Sequence, residues 1–335
     1  MRILFIGTPA IAVPSLRAIS EMELKGKGVT LAGVLTNPDR PRRHGQAEPS
    51  DVSAAASALD AARKERALPP IAQLKPEKLD ARAREDVAAL SPELLVSFAY
   101  GRIFGPRFLA LFPLGGINIH PSLLPKYRGA SPIPAVILNK EKETGVCIQK
   151  LAAEMDSGNI LASLQIELSG RETTASLTET VSEKAALLLG ELLLDFGPRT
   201  ARARPQEGEA VYCSEIKKEA GLIDWGKGAA EIEAQIRAFT PWPLSFTRLG
   251  KDTLIILEAQ CAAAHTAPAA APQTEIKTDV PAPPGTVLGT DRRGILIQTG
   301  DGILAVKKLQ WQTKKALDWK AFCNGERGFK GVILG

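Results

Sequence analysis

Short apolar runs alternate with helix-like stretches through the first third of the chain. Ile3–Ile6 is four apolar residues ended by Gly7, Thr8 and Pro9, which predicts a buried strand running into a loop. Val13–Ile19 begins the helix after it, and Val29–Leu35 predicts a second strand. The alanine-rich Val52–Arg66 predicts a helix, Leu94–Phe98 a strand, Phe108–Phe112 a short helix and Ile117–His120 a further strand. Strand, helix and strand repeated in this way predict an α/β, Rossmann-like parallel sheet covered on both faces. In such sheets the ligand crevice opens at the carboxyl ends of the strands, and His120 stands at one of those ends.

Farther on, Thr173–Phe196 carries apolar residues at helical spacing, with Gly197-Pro198 as its stop. The run from Pro198 to Ala210 contains Arg199, Arg202 and Arg204 and no large apolar residue. It predicts a linker over 201–210 between a domain at 1–200 and a second at 211–335. Beyond it the period changes. Leu254–Leu257, Gly285–Leu288, Gly294–Gln298 and Gly302–Val306 predict short strands with glycine turns, and so a small antiparallel barrel of the oligonucleotide-binding (OB-like) kind. The Ala/Pro-rich stretch 261–284 cannot pack a core and predicts a loop between barrel strands.

Composition adds little to this outline. With 335 residues, 44% hydrophobic and 24% charged, the chain is a soluble globular one long enough for two domains. The net charge of +5 permits a polyanionic partner without requiring one. Cys147, Cys213, Cys261 and Cys323 are widely spaced and form no CxxC pair, and no HExxH occurs. These features predict reduced thiols, no metal and a cytoplasmic location. No apolar stretch approaches the length of a membrane span, so no membrane partner is expected.

The stretch GGINIHPSLLPKYRG holds one of only three histidines. Alternate residues of a strand share a face, so Asn118 and His120 project together where the sheet opens. An amide donor beside an imidazole that titrates near neutrality is able to polarise a carbonyl and move a proton. A strand end whose polar residues merely face water remains the competing reading. Pro121 and Pro125 stiffen the following loop. Downstream, Asp156 precedes a Ser-Gly turn, from which an acid is able to reach a sheet end and orient a histidine; Asp is also an ordinary turn former.

NIH followed by PSLLPKYRGASPI and then a DSG turn resembles the folate-dependent formyltransferases. FIGTPAIAVPSL, TNPDRPRRHGQ, SFAYGRIF, IKKEAGLIDW, IRAFTPWPLSF and GDGILAVKKLQ follow the same family pattern in order, so the resemblance covers nearly the whole chain. It implies formyl transfer from 10-formyltetrahydrofolate to the α-amino group of methionine on initiator methionyl-tRNA, with no metal, by a monomer. Asn118, His120 and Asp156 fall on the family's catalytic triplet, with Asn118 and His120 as donors to the oxyanion and Asp156 as the residue that holds His120 and relays protons. Ser122, Leu123, Leu124 and Pro125 fall on its tetrahydrofolate loop. Arg40, Arg42 and Arg43 fall on a loop that meets the tRNA acceptor end, although this chain has RPRRHGQ where relatives often have RPAGRGK.

Lys307 and Lys308 belong to a segment, 303–335, with seven basic residues and two acidic ones, a candidate phosphate-binding face. Three alternatives stay open on the sequence. A formyltransferase or hydrolase for a small substrate shares the NIH and SLLP segments. A binding module without catalysis has no need of the Asn118, His120 and Asp156 set. A nicotinamide-dependent dehydrogenase needs a GxGxxG turn that FIGTPAIA does not provide.

Overall fold

The computed structural model describes residues 1–41, 47–262, 282–326 and 328–335. They form two compact units. The first comprises Met1–Pro132, Lys142–Leu168 and Ser176–Ser214, and the second Ile133–Glu141, Ser169–Ala175 and Glu215–Gly335.

The first unit is built on a seven-stranded sheet. In chain order its strands are β1 (Arg2–Gly7), β2 (Thr30–Leu35), β3 (Gln73–Leu74), β4 (Leu94–Phe98), β5 (Gly116–His120), β6 (Glu143–Lys150) and β7 (Ile160–Glu167). Across the sheet the order is β7-β6-β5-β4-β1-β2-β3. The first five strands are parallel to one another. Ile3 through Ile6 and Leu94 through Val96 are fully buried, as all-apolar central strands require. Helices α1 (Val13–Leu24), α2 (Asp51–Glu65) and α3 (Ala81–Ala89) follow β1, β2 and β3. Ser50 caps α2 and Asp80 caps α3, each accepting a backbone N–H three residues on.

Three features differ from the sequence expectation. The sheet is mixed, because β6 is antiparallel to β5 and β7 is antiparallel to β6. The nine residues 151–159 between β6 and β7 are too few for a parallel crossover, which needs a dozen or more. The segment 201–210, expected as a linker, is part of the first unit's hydrogen bonding. Arg204 exchanges both backbone hydrogen bonds with Ile160, and Tyr212–Cys213 pairs with Arg128–Gly129. Backbone pairing needs no apolar side chain, so hydropathy gave no sign of it. The long helix α4 (Thr174–Leu194) ends near the expected place, but Gly197 and Pro198 lie in the first turn of a further short helix, Phe196–Ala201. Proline is tolerated there because its missing N–H has no partner in the helix.

The second unit carries helix α5 (Ala229–Ala238) and an antiparallel sheet of β8 (Ser245–Leu249), β9 (Asp252–Ala262), β10 (Val287–Asp291), β11 (Gly294–Gln298) and β12 (Ile303–Trp311). The order is β8-β9-β12-β11-β10, and Leu317–Asp318 adds to β12. Ile232 and Ile236 of α5 pack with Trp225, Leu254, Ile256, Ile297, Leu304 and Val306 in one core. The sheet is antiparallel, as the expected OB-like domain requires, and among the described residues no pairing joins β8 to β10 to close it. The Ala/Pro-rich stretch follows the end of β9, and its residues 263–281 lie outside the described residues. Among the described residues no helix is long and apolar enough to cross a membrane.

Candidate active site

The carboxyl end of β5 brings Asn118 and His120 to the same place as Asp156. Asn118 Nδ2 donates to Asp156 Oδ1 at 3.3 Å, and His120 Nδ1 lies 3.5 Å from Asp156 Oδ2. Asp156 reaches them from the tight connection between β6 and β7, where its φ of 50° puts it in the left-handed region that Asp adopts more readily than most residues. Gly158 makes this return possible, since a Cβ there would lie 1.7 Å from the Lys150 carbonyl oxygen.

His120 is almost wholly buried. Its Nε2 lies 2.8 Å from the carbonyl oxygen of Tyr127, which only accepts, so Nε2 carries the hydrogen. In the neutral ring Nδ1 is then a lone pair facing Asp156. Burial lowers the imidazole's proton affinity below the ordinary histidine value, while Asp156 and the Tyr127 carbonyl oppose that shift without cancelling it.

Four residues not singled out by the sequence complete the surroundings of Asp156. Gly129 N donates to Asp156 Oδ2 at 2.9 Å, and Gln149 Nε2 donates to Oδ1 at 2.9 Å. Gln206 Nε2 donates to the Asp156 carbonyl at 2.7 Å, and the Gln206 side-chain oxygen accepts from Arg128 Nε at 3.0 Å and Nη2 at 2.6 Å. Gln149 stands opposite Asn118 in the β5–β6 register, and Cys147 stands opposite His120. A usable signal was Gln149, a lone glutamine in the apolar run Val146–Ile148 and its continuation, but it points to a site only once β6 is known to pair with β5. Cys147 is buried, and burial pushes its thiol up to about 11, so it is no nucleophile at neutral pH.

The loop 122–125 follows directly. Ser122 is fully buried and its hydroxyl donates to Lys126 O at 2.6 Å, so its side chain is spent inside the loop. Leu123, Leu124 and Pro125 are half-buried, with the Leu124–Pro125 bond cis and Leu124 N donating to Cys147 Sγ. They leave an apolar edge beside the polar triplet.

The remaining expected contacts are dispersed. Arg40 is exposed on a short ladder, Arg40–Pro41 with Ala47–Glu48, while Arg42, Arg43 and His44 lie outside the described residues. Lys307 and Lys308 are neighbours on β12, at an irregularity in its pairing with β9 and between the core residues Val306 and Leu309. Lys308 is exposed, and Lys307 Nζ lies 3.6 Å from Glu258 Oε1.

Comparison with known proteins places this arrangement. The formyl transferase family profile matches residues 1–193, and the profile for the formyl transferase C-terminal domain matches residues 215–327. The chain belongs to the formyl transferase family. Among relatives, the methionyl-tRNA formyltransferase of Treponema denticola is 50% identical over 98% of both chains. That of Treponema pallidum strain Nichols is 42% identical over 97% of this chain and 96% of its own. Among solved structures, an N-formyltransferase from Helicobacter canadensis, in complex with folinic acid and dTDP-3-aminofucose, superposes with a TM-score of 0.62 at 20% identity, covering 91% of this chain and 98% of its own. HypX from Aquifex aeolicus in complex with tetrahydrofolic acid gives 0.59 at 17% identity over 99% of this chain and 48% of its own. At those identities the two structures share the formyl transferase fold with this chain, and the family assignment rests on the profiles and the Treponema sequences.

Proposed function

We propose that this formyl transferase moves a formyl group from 10-formyltetrahydrofolate to the α-amino group of methionine on initiator methionyl-tRNA. The observation that carries the reading is the meeting of Asn118, His120 and Asp156 at the end of β5, in a chain half identical to a methionyl-tRNA formyltransferase along nearly its whole length.

The residues present fit a formyl donor on chemical grounds. Asn118 uses one amide hydrogen on Asp156 and keeps the other for the formyl oxygen. A preorganised donor of this kind is worth about 3–4 kcal/mol as charge develops on that oxygen. His120 Nδ1, a lone pair in the neutral ring, accepts the proton that the attacking amine loses. The imidazolium so formed is stabilised by Asp156 at 3.5 Å and returns the same proton to the departing folate nitrogen. His120 therefore donates only after it has been protonated, which revises its expected role as a standing donor to the oxyanion. No covalent enzyme intermediate is needed, in keeping with the unreactive Cys147. Leu123, Leu124 and Pro125 supply an apolar edge for the flat pterin.

The tRNA would be held chiefly by charge. Arg40, Arg42 and Arg43 in the first unit and Lys308 with its basic neighbours in the second are its proposed phosphate partners. The reading takes the single chain as the working unit, acting in the cytoplasm. The test is to incubate the purified protein with 10-formyltetrahydrofolate and methionyl-tRNA, with a dTDP-amino sugar as a second acceptor. Formyl-methionyl-tRNA is the expected product, and formylation of the sugar alone would overturn the acceptor assignment.

A further inference from the structure

Asp156 is held by more than the triplet. Behind it runs a series of side chains whose hydrogen-bond directions are fixed from one end. Arg128 has donors and no acceptor, so Gln206 must turn its oxygen toward Arg128 Nε and Nη2. That choice sends the Gln206 NH2 toward three acceptors: Gln149 Oε1 at 3.2 Å, Asp156 O at 2.7 Å and Gly158 O at 2.9 Å. Two of these are backbone carbonyls, which enforce the same orientation. Gln149 Oε1 also receives the Gly158 N–H at 3.1 Å, so its own NH2 faces Asp156 Oδ1 at 2.9 Å. Every amide in the series has its oxygen and nitrogen assigned by partners that cannot exchange roles. Gln149 is buried, and no reacting atom needs to touch either glutamine.

We infer that Gln149 and Gln206, oriented by the Arg128 guanidinium, are positioning residues that hold Asp156 beside Nδ1 of His120, as the carboxylate that stabilises the imidazolium formed during the reaction. This rests on the reading of Asp156 as part of the reaction. The segment 201–210 is then a working part of the first unit, carrying the side chain that connects a surface cation to the site. Three other groups face this arrangement and enter any pH response. They are His120 on β5, Arg128 itself, and Cys213, whose thiol donates to the carbonyls of Tyr127 and Arg128.

Gln149→Glu tests the inference with little change of shape. It replaces a donor to Asp156 with a second carboxylate, which disfavours the ionised pair. The expected result is a kcat lower by about 10-fold or more, KM for both substrates within about twofold of wild type, and the acidic limb of the kcat–pH profile moved up by about one pH unit. Gln206→Ala, at a half-buried position, is expected to lower kcat about threefold or more with the limb moved in the same direction. Thermal unfolding identifies any variant that fails to fold, and Gln206→Ala then stands alone as the test. A kcat and acidic limb unchanged in the folded variants, while Asp156→Asn abolishes turnover, would overturn the inference. Full turnover in Asp156→Asn would instead overturn the catalytic reading beneath it.

Discussion

The end of β5 in the first unit and the lysine-bearing β12 in the second are both polar surfaces on apolar sheets, yet they treat charge differently. At the first, both oxygens of Asp156 accept hydrogen bonds, and its neighbours are themselves held by backbone groups. At the second, Lys308 is exposed and Lys307 has a loose, half-exposed ion pair with Glu258, worth little in water. Chemistry at one carbonyl depends on donors fixed to a fraction of an ångström. Phosphate binding depends on charge density and tolerates motion. Buried and determinate geometry in one unit, exposed and interchangeable charge in the other, is the arrangement expected for a reaction performed on the end of a polyanion.

The sharpest way to break the contrast is at Asp156. Asp156→Asn keeps the shape but not the charge, and we expect turnover to fall about 10²–10⁴-fold with the unfolding temperature near wild type. Assaying formyl transfer and thermal unfolding on one preparation checks both halves of that statement. Gly158→Ala tests the backbone that delivers the acid. With a Cβ 1.7 Å from Lys150 O, it should cost about 3 kcal/mol or more and lose activity with stability. Leu304→Ala, in the core of the second unit, should cost about 2–5 kcal/mol in denaturant titration.

The pH response is a gentler probe. Burial lowers the proton affinity of His120 below the usual value of 6.5. The folded state therefore binds this proton less readily than the unfolded one, so stability contributed here is present above 6.5 and declines as pH falls toward the folded value. In the proposed mechanism the neutral ring is the active form, so kcat should hold through 6.5 and drop only in more acid solution. A rate that already halves at 6.5 would contradict it. The smallest effect belongs to β12. Lys308→Ala should leave kcat unchanged and reduce the slope of log affinity for tRNA against log salt by about one. A loss of kcat with an unchanged slope would assign Lys308 to the chemistry and erase the contrast.

Much of this was legible in the residues. The apolar runs Ile3–Ile6 and Leu94–Val96 dictated buried strands, because segments without polar positions need cover on both faces. The alternation Asn118, Ile119, His120 put two polar side chains on one face of a strand whatever the rest of the fold did. Nothing local, however, pointed to β6 and β7 as antiparallel or to 201–210 as more than a linker. Those facts depend on backbone hydrogen bonds between segments far apart in the chain, which leave no periodic trace. The tertiary structure alone decided that Gln149 faces Asn118, that Gln206 reaches Asp156 from fifty positions away, and that Nε2 of His120 is committed to Tyr127. A sequence determines which groups are present and which way a strand turns them. Which acceptor each donor finds is settled only when the chain closes on itself and water no longer competes for the bond.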